Sequence, residues 1–385
     1  MKIVHIITRL IVGGAQENTL ITCKLLAQRG HDVTLITGPA IGPEGQLFTK
    51  TQGQLYGTYV IREMCRPIAP VKDYITYYRL KGMLDGIRPD IVHTHSAKAG
   101  ILGRYAAYNM GKYRPKIVHS VHGLSFHPYQ NAWLNKLYIT LEQAAAKKTD
   151  HFITVADTMT AQSRAAGIGL DKPYTTAYSA IDEEGYYRTP SAKEKQDFRI
   201  KYNIASDAVV FICVARLFKL KGHNYIIECA RQLVRQFPQV IWLFVGNGSL
   251  ARKYAALIKQ MGLSDYFRFT GLLEPQEVPI AIHASDILIH CSLREGLART
   301  LPQAMLCKKP VISFDVDGAR EVVNENTGRL IEPKNIEQLS QACTELITDK
   351  NLREQLGQNA QQLVHDKFAP ETMTDTIEGI YRLLA

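Results

Sequence analysis

The sequence predicts an α/β protein of two doubly wound, Rossmann-like domains facing each other across a central cleft. Two observations carry that expectation. Strand-length apolar runs alternate with helical segments in two successive blocks, residues 1–185 and 190–368. A chain of 385 residues also exceeds what one hydrophobic core supports. A closing segment, residues 369–385, carries a helical stripe of Met373, Ile377, Ile380, Tyr381 and Leu384.

Composition narrows the class. Hydrophobic content of 46% and charged content of 21% are ordinary for a soluble globular protein. No apolar run approaches the ~20 residues that a bilayer crossing needs. Met1–Ile7 passes into a strand and a Gly-Gly turn without signal-peptide anatomy. Seven scattered cysteines with no C-x-x-C are a reduced pattern, with neither a disulfide framework nor a zinc site, so a cytoplasmic location is expected. The net charge of +10 is uneven: residues 1–185 hold 21 Lys+Arg against 14 Asp+Glu, and the remainder 25 against 22. A basic first half suits a phospholipid surface or a phosphate-bearing lipid acceptor, and solubility charge explains it equally well. No basic-aromatic motif or Lys/Arg run points to nucleic acid.

In the first block, Lys2–Ile7 reads as a buried strand and Thr8–Gly14 as a loop ending in Gly13-Gly14. Ala15–Arg29 follows as an amphipathic helix, Gly30 ends it, and Asp32–Ile36 is the second strand. Gly13-Gly14 has two readings. One is a tight turn needing φ > 0; the other, favoured because a helix N-terminus follows, is backbone N–H groups offered to donor phosphates. The Gly-rich stretch Ile41–Gly57 is expected to be a mobile loop and Val71–Ile87 a helix. Asp90–His93 is a third strand leading into His93-Thr94-His95. Two His at i, i+2 without an acidic or cysteine partner nearby read as hydrogen-bonding loop histidines, so no metal is expected. Lys116–Val121 delivers His122 at a strand's carboxyl end, where open α/β sheets place ligand groups. Trp133–Lys148 reads as a core-packed helix with Leu134, Leu137, Leu141 and Ala145 inward. His151–Val155 and Tyr174–Tyr178 close the sheet, and Ile181–Ser191 is the linker.

The second block runs as strand Ala208–Val214, helix Gly222–Gln236, strand Val240–Val245, helix Leu250–Met261, strand Phe267–Thr270 and helix Pro275–Ala284. Next come strand Asp286–His290, loop Ser292–Ala298, a short helix Thr300–Leu306 with Pro302 in its first turn, and strand Val311–Phe314. Strand Thr327–Ile331 and helices Ile336–Thr348 and Asn351–Lys367 end the block. A loop that leaves a strand's carboxyl end and opens a helix suits a phosphate. Glu295 in that loop would repel a phosphate, so its use is in accepting hydrogen bonds from neutral hydroxyls. Phosphate plus hydroxyls suggests a nucleotide sugar. Arg216 and Lys221, five apart after a strand, form a reasonable diphosphate clamp, the one a planar fork and the other a point charge.

EGLARTLPQAMLCKKPVISFDVDGAREVV resembles the donor-site signature of glycosyltransferase family 4, retaining enzymes of the GT-B fold. Glu295 matches the family's first Glu; eight positions on, where a second Glu usually holds the ribose hydroxyls, this chain has Gln303. Arg216 and Lys221 match the family's pair at the donor pyrophosphate. His122 matches its strand-end His near the reacting sugar. Gly246-Asn247-Gly248 resembles its turn near the nucleoside, and Leu273 would lend backbone contacts to the base. The resemblance also implies that Gly296, Leu297, Arg299 and Thr300 belong to the donor site, joining Gly13 and Gly14 as read above, and that the closing helix crosses back onto the first domain.

What the resemblance implies is a hexosyltransferase that moves a sugar from a nucleoside diphosphate sugar to an acceptor hydroxyl with retention. Arg216, Lys221 and the helix N-terminus near Arg299-Thr300 would stabilise the leaving diphosphate in place of a metal. The donor loop is read as lacking a D-x-D-type cluster, and no cofactor is expected beyond the sugar donor as co-substrate. The acceptor would be a glycan or lipid-linked glycan of the cell envelope, reached from the inner face of the membrane. Three alternatives stay open: a nucleotide-sugar 2-epimerase, a phosphorylase, and a non-catalytic nucleotide-sugar binder that Gln303 keeps in view.

Overall fold

Both sheets are built from runs such as Ile3–Ile7 and Val240–Val245, buried on either face and therefore, His5 apart, apolar without alternation. The structure is a computed structural model that describes residues 1–11, 13–40, 47–181 and 183–385. It forms two compact units, Met1–Ala180 with Ala369–Ala385, and Ile181–Phe368.

The first unit runs β1 (Lys2–Ile7), α1 (Gly14–Gln28), β2 (Asp32–Thr37), β3 (Gly57–Val60), α2 (Pro70–Ile87), β4 (Ile91–His95) and α3 (Ala97–Tyr108). It continues through β5 (Lys116–Val121), α4 (Ala132–Ala146), β6 (His151–Thr154), α5 (Asp157–Ala165) and β7 (Tyr174–Thr176). The second unit holds α6 (Glu183–Tyr187), α7 (Ala192–Lys201), β8 (Val209–Val214), α8 (His223–Leu233), β9 (Val240–Val245), α9 (Ala251–Gln260) and β10 (Phe267–Gly271). It ends with α10 (Glu277–His283), β11 (Ile287–His290), α11 (Thr300–Leu306), β12 (Val311–Phe314), β13 (Gly328–Ile331), α12 (Ile336–Thr348) and α13 (Lys350–His365). Helix α14 (Pro370–Leu384) belongs to the first unit.

The sheet orders are β3-β2-β1-β4-β5-β6-β7 and β10-β9-β8-β11-β12-β13, every named pair parallel. Each sheet therefore reverses its direction of growth once, between β1 and β4 and between β8 and β11. Those reversals leave a crevice at the strands' carboxyl ends, where α/β proteins place ligands.

In the first unit one face of the sheet packs Ile3, Ile7, Ile91 and Val118 against α1 and α14, which contributes Met373, Ile377, Ile380 and Tyr381. Glu378 of α14 accepts from Arg29 at 2.7 Å and lies 3.1 Å from the His31 ring, which holds that helix in register. The other face packs Val4, Ile6 and Val92 under Leu80, Leu84 and Ala106 of α2 and α3. In the second unit, Trp242 stacks on Phe211 with ring centroids 4.5 Å apart.

Several expectations are corrected here. Residues 41–46 of the supposed mobile stretch lie outside the described residues, while Phe48–Thr51 forms a 3-10 turn and Gly57–Val60 an edge strand on β2. Helix α3 was unseen in the sequence because Gly100 and Gly103 weaken its pattern. Both are small so that the helix can lie on the sheet: a Cβ on Gly100 would come 2.6 Å from the His119 ring. His93 and His95 sit in a strand, not a loop, since each finds a buried partner. Helix α4 is not core-packed. Only Ala145 and Ala146 are buried, while Leu141 and Trp133 are exposed, because the helix is pinned through its last turn.

Candidate functional site

The second unit gathers its chemistry where the loops after β8, β9, β10, β11 and β12 meet. Main-chain hydrogen bonds tie these loops together. Leu217 N donates to Asn247 O at 3.1 Å, Gly246 N to Gly271 O at 2.9 Å, Leu293 N to Leu220 O at 2.9 Å, and Gly318 N to Gly296 O at 2.9 Å. Such close approach excludes side chains at two points. Gly222, at φ 72°, has room for no Cβ, which would fall 1.8 Å from Cys291 O; one on Gly246, at φ 132°, would fall 2.3 Å from Ala215 O.

Lys221, at the end of the 3-10 turn after β8, pairs its Nζ with Glu295 Oε1 in the loop after β11. His290 Nε2 lies 3.4 Å from the same oxygen. Burial opposes ionisation of Glu295, but the Lys221 ammonium and His290 outweigh it and hold the carboxyl well below the usual range. The backbone is clamped too: Glu295 N donates to Asp317 Oδ2 at 2.6 Å. Ser292 Oγ and Thr300 Oγ1, on either side of that loop, are buried without a hydrogen-bond partner among the described residues. A buried hydroxyl left so costs about 1–3 kcal/mol, which a ligand oxygen at the site would recover. Arg216 is exposed, its guanidinium 5.0 Å from the centre of the Phe218 ring.

The other expected donor-site residues are placed as follows. Asn247 is exposed, with Oδ1 accepting from Gly248 N at 2.7 Å. Leu273 and Leu297 are buried. Arg299 caps α11, and Gln303 is half-buried within it. In the first unit Gly13 precedes α1 with φ 171°, an extended backbone open to any residue, and Gly14 is not among the positive-φ glycines. The tight-turn reading of Gly13-Gly14 is therefore set aside. His122 follows β5, its Nε2 3.0 Å from His95 Nδ1.

The sequence reading missed His290 and Asp317. His290 looked like the end of a strand, and Asp317-Gly318 carried only a turn signal. It also passed over the D-x-D spacing of Asp315-Val316-Asp317. Asp315 accepts from Arg320 Nε at 3.0 Å, and Asp317 Oδ2 accepts from the backbone N–H of Glu295. His5, His93 and His95 bring ligand-type nitrogens within 4.8 Å of one another, yet both nitrogens of His93 and of His95 are already hydrogen-bonded.

Comparison with known proteins agrees with this architecture. Residues 12–184 match the model described as Glycosyltransferase Family 4, and residues 194–363 the model described as Glycosyl transferases group 1. The chain is 28% identical to the UDP-Gal:alpha-D-GlcNAc-diphosphoundecaprenol alpha-1,3-galactosyltransferase of Escherichia coli, over 99% of this chain and 96% of that protein. It is 26% identical to the putative glycosyltransferase EpsD of Bacillus subtilis, over 87% and 88% respectively. The crystal structure of Anabaena Alr3699/HepE in complex with UDP superposes with a TM-score of 0.83 at 20% identity, covering 100% of both chains. With one family model on each unit and relatives named as glycosyltransferases along its length, the chain belongs to the family 4 glycosyltransferases of GT-B fold and is a sugar-transferring enzyme.

Proposed function

We propose that the protein is a retaining, metal-independent glycosyltransferase that moves a sugar from a UDP-sugar to the hydroxyl of a lipid-linked glycan in cell-envelope synthesis. The observation that carries this is the Lys221–Glu295 pair set beside the unpartnered Ser292 and Thr300 hydroxyls at the reversal of the second sheet. A site with a fixed cation, a fixed anion and open hydroxyls matches a ligand that is phosphate at one end and polyol at the other.

Arg216 and Lys221 are assigned to the diphosphate, whose negative charge grows as the glycosidic bond breaks. Glu295 accepts from sugar hydroxyls, and His122 of the first unit serves the sugar or the acceptor. Gly296, Leu297, Arg299 and Thr300 offer backbone or hydroxyl groups to the phosphates, as do Gly13 and Gly14. Gly246, Asn247 and Leu273 shape the nucleoside end, and Gln303 takes the ribose. Retention follows if the leaving phosphate removes the acceptor proton on the face it departs from. No side chain then needs to act as nucleophile.

The uracil base and the polyprenyl acceptor are supported by relatives whose names carry UDP and diphosphoundecaprenol. A membrane-bound acceptor also suits α2, where Val71, Tyr74, Ile75 and Tyr78 are exposed beside Lys72. Among the described residues no helix is long and apolar enough to cross a membrane.

Incubation of UDP-galactose, UDP-glucose or UDP-N-acetylglucosamine with a polyprenyl-diphosphate-linked sugar as acceptor, with UDP release followed and the product's anomeric proton read by NMR, tests the reading. Release of UDP with an α-linked product is expected; an inverted product would refute retention.

A further inference from the structure

Helices α2, α3 and α4 form one layer, on the sheet face opposite α14. Leu80 and Leu84 of α2 and Ala106 of α3 pack on Val4, Ile6 and Val92. Ala146 of α4 packs on Phe152, whose ring meets that of His119 beneath α3. Side chains cross-link the three helices. Asn109 Nδ2 donates to Tyr77 Oη at 2.8 Å, Arg104 Nη2 donates to Glu142 Oε2 at 2.6 Å, and Lys148 Nζ lies 4.6 Å from the centre of the Tyr105 ring.

A surface helix ordinarily turns its apolar stripe inward and leaves a polar face outside. These helices keep an apolar stripe outside as well. On α2, Thr76, Leu80 and Leu84 are buried, while Val71, Tyr74, Ile75 and Tyr78, at i, i+3, i+4 and i+7, are exposed, Val71 to 74% and Tyr74 to 64%. On α4, where only Ala145 and Ala146 are buried, Trp133, Leu137 and Leu141 follow one another at i, i+4 and i+8. Trp133 is 71% exposed. Apolar surface of this extent marks an interaction site.

The charge is concentrated in the same place. Residues 70–148, which carry the three helices, hold 12 Lys+Arg against 4 Asp+Glu, whereas the rest of residues 1–185 hold 9 against 10. Three of those four carboxylates are engaged: Asp73 with Lys98, Asp90 with the backbone N–H of Lys2, and Glu142 with the buried Arg104. Lys72, Lys136 and Lys147 are exposed on the helices that carry the apolar stripes. A second copy of the chain suits this surface poorly. A two-fold interface would set the basic layer against itself, and protein interfaces are depleted in lysine. An anionic bilayer meets both needs, with phosphates for the lysines and an acyl boundary for the apolar side chains, at the depth that Trp and Tyr favour.

We propose that the layer of α2, α3 and α4 docks on the surface of an anionic phospholipid bilayer, with Val71, Tyr74, Tyr78 and Trp133 in the headgroup region. The proposal deepens the lipid-linked acceptor reading and rests on it for why a surface is needed; the docking itself is read from exposure and charge.

The test sediments the full-length protein with vesicles of phosphatidylcholine alone and of equal parts phosphatidylcholine and phosphatidylglycerol, at about 0.1 M and about 0.5 M NaCl. Binding to the anionic vesicles only, weakened by salt, is expected; no binding to them, or equal binding to both kinds, overturns the proposal. Trp133 reports its own burial, because the chain's other tryptophan, Trp242, is fully buried. A blue shift of emission on docking is expected in the wild type and not in Trp133→Phe; an unshifted wild-type spectrum overturns the proposal. Val71→Ser with Tyr74→Ser, and Lys136→Glu with Lys147→Glu, should each lower the partition coefficient about tenfold or more. Their melting temperatures should match the wild type, since all four residues are exposed. Unchanged partition in either double variant overturns the proposal, and should one melt early, the wild-type Trp133 emission still decides. A dimer that Trp133→Ser dissolves, in a protein that leaves vesicles alone, gives the face to a second copy. Docking without UDP release from any donor upholds this inference and counts against the transferase reading; turnover in detergent without docking does the reverse.

Discussion

The Lys221 ammonium meets the Glu295 carboxylate over β8 and β11, the two strands between which the second sheet reverses its growth. On the proposed assignment, the pair accounts for a carboxylate beside a diphosphate: Lys221 neutralises Glu295 in the free protein. When a diphosphate arrives, the same ammonium can turn to phosphate and release Glu295 to sugar hydroxyls. Two substitutions at this pair separate structure from chemistry. Lys221→Ala should cost about 1–3 kcal/mol of stability, because it strands a half-buried carboxylate. The double variant Lys221→Ala with Glu295→Gln should regain most of that, since the stranded charge is gone. Both should turn over UDP-sugar roughly 10²–10³-fold more slowly than wild type, the scale of losing one fixed charge at a developing oxyanion. Denaturant melts and initial rates on the three proteins check this, and near-normal turnover in either variant would refute the role of Lys221.

Gly222→Ala should unfold the corner that carries Lys221. The added Cβ would sit 1.8 Å from Cys291 O, on a backbone at φ 72°. A loss above about 3 kcal/mol is expected, or roughly 6 °C or more in melting temperature for a unit of this size. Thermal unfolding by circular dichroism reads it. A variant that melts with the wild type would mean that the loops after β8 and β11 are not in contact as described.

Acid should loosen the first unit before the carboxylates protonate. His5 is driven down to about 3 and His93, His95 and His119 well below the usual value, burial being the largest cause for each. The unfolded chain binds protons at these histidines below about pH 6.5, while the folded chain does not. Stability is therefore complete above about 6.5 and drains as pH falls towards the depressed native values. The drain is on the order of 1 kcal/mol per pH unit for each such histidine. Melting temperatures at pH 7.5, 6.5, 5.5 and 5.0 should decline across that range, and His5→Leu should flatten the decline. A constant melting temperature from 7.5 to 5.0 would contradict it.

Gln303→Glu should tighten UDP binding about fivefold, because a carboxylate accepts a ribose hydroxyl more strongly than an amide oxygen does. Isothermal titration with UDP measures it. No gain, or weaker binding, would take Gln303 away from the ribose.

Much of this protein was readable along the chain. Strands such as Val209–Val214 and Val240–Val245 are apolar throughout because both faces are covered, and the site loops follow the strands with Arg216, Lys221, Gly246 and Glu295 in plain sight. Where sequence reasoning failed, a tertiary contact had replaced a local signal. Helix α3 has glycines where a helix prefers alanine, because His119 and Thr94 leave no room for a Cβ. Asp317 looked like a turn residue, yet its carboxylate holds the Glu295 backbone.

By itself the sequence determined the two-block α/β class, the expected family and the positions of the charged site residues, since strand burial and loop placement leave a local, periodic trace. Only the tertiary structure decided which of those residues meet. Lys221 with Glu295, and His5 with His95 and His122, are separated by tens of residues along the chain. Their pairing depends on strand order, and parallel strands joined by crossover helices put neighbours in space that have no local spacing in sequence.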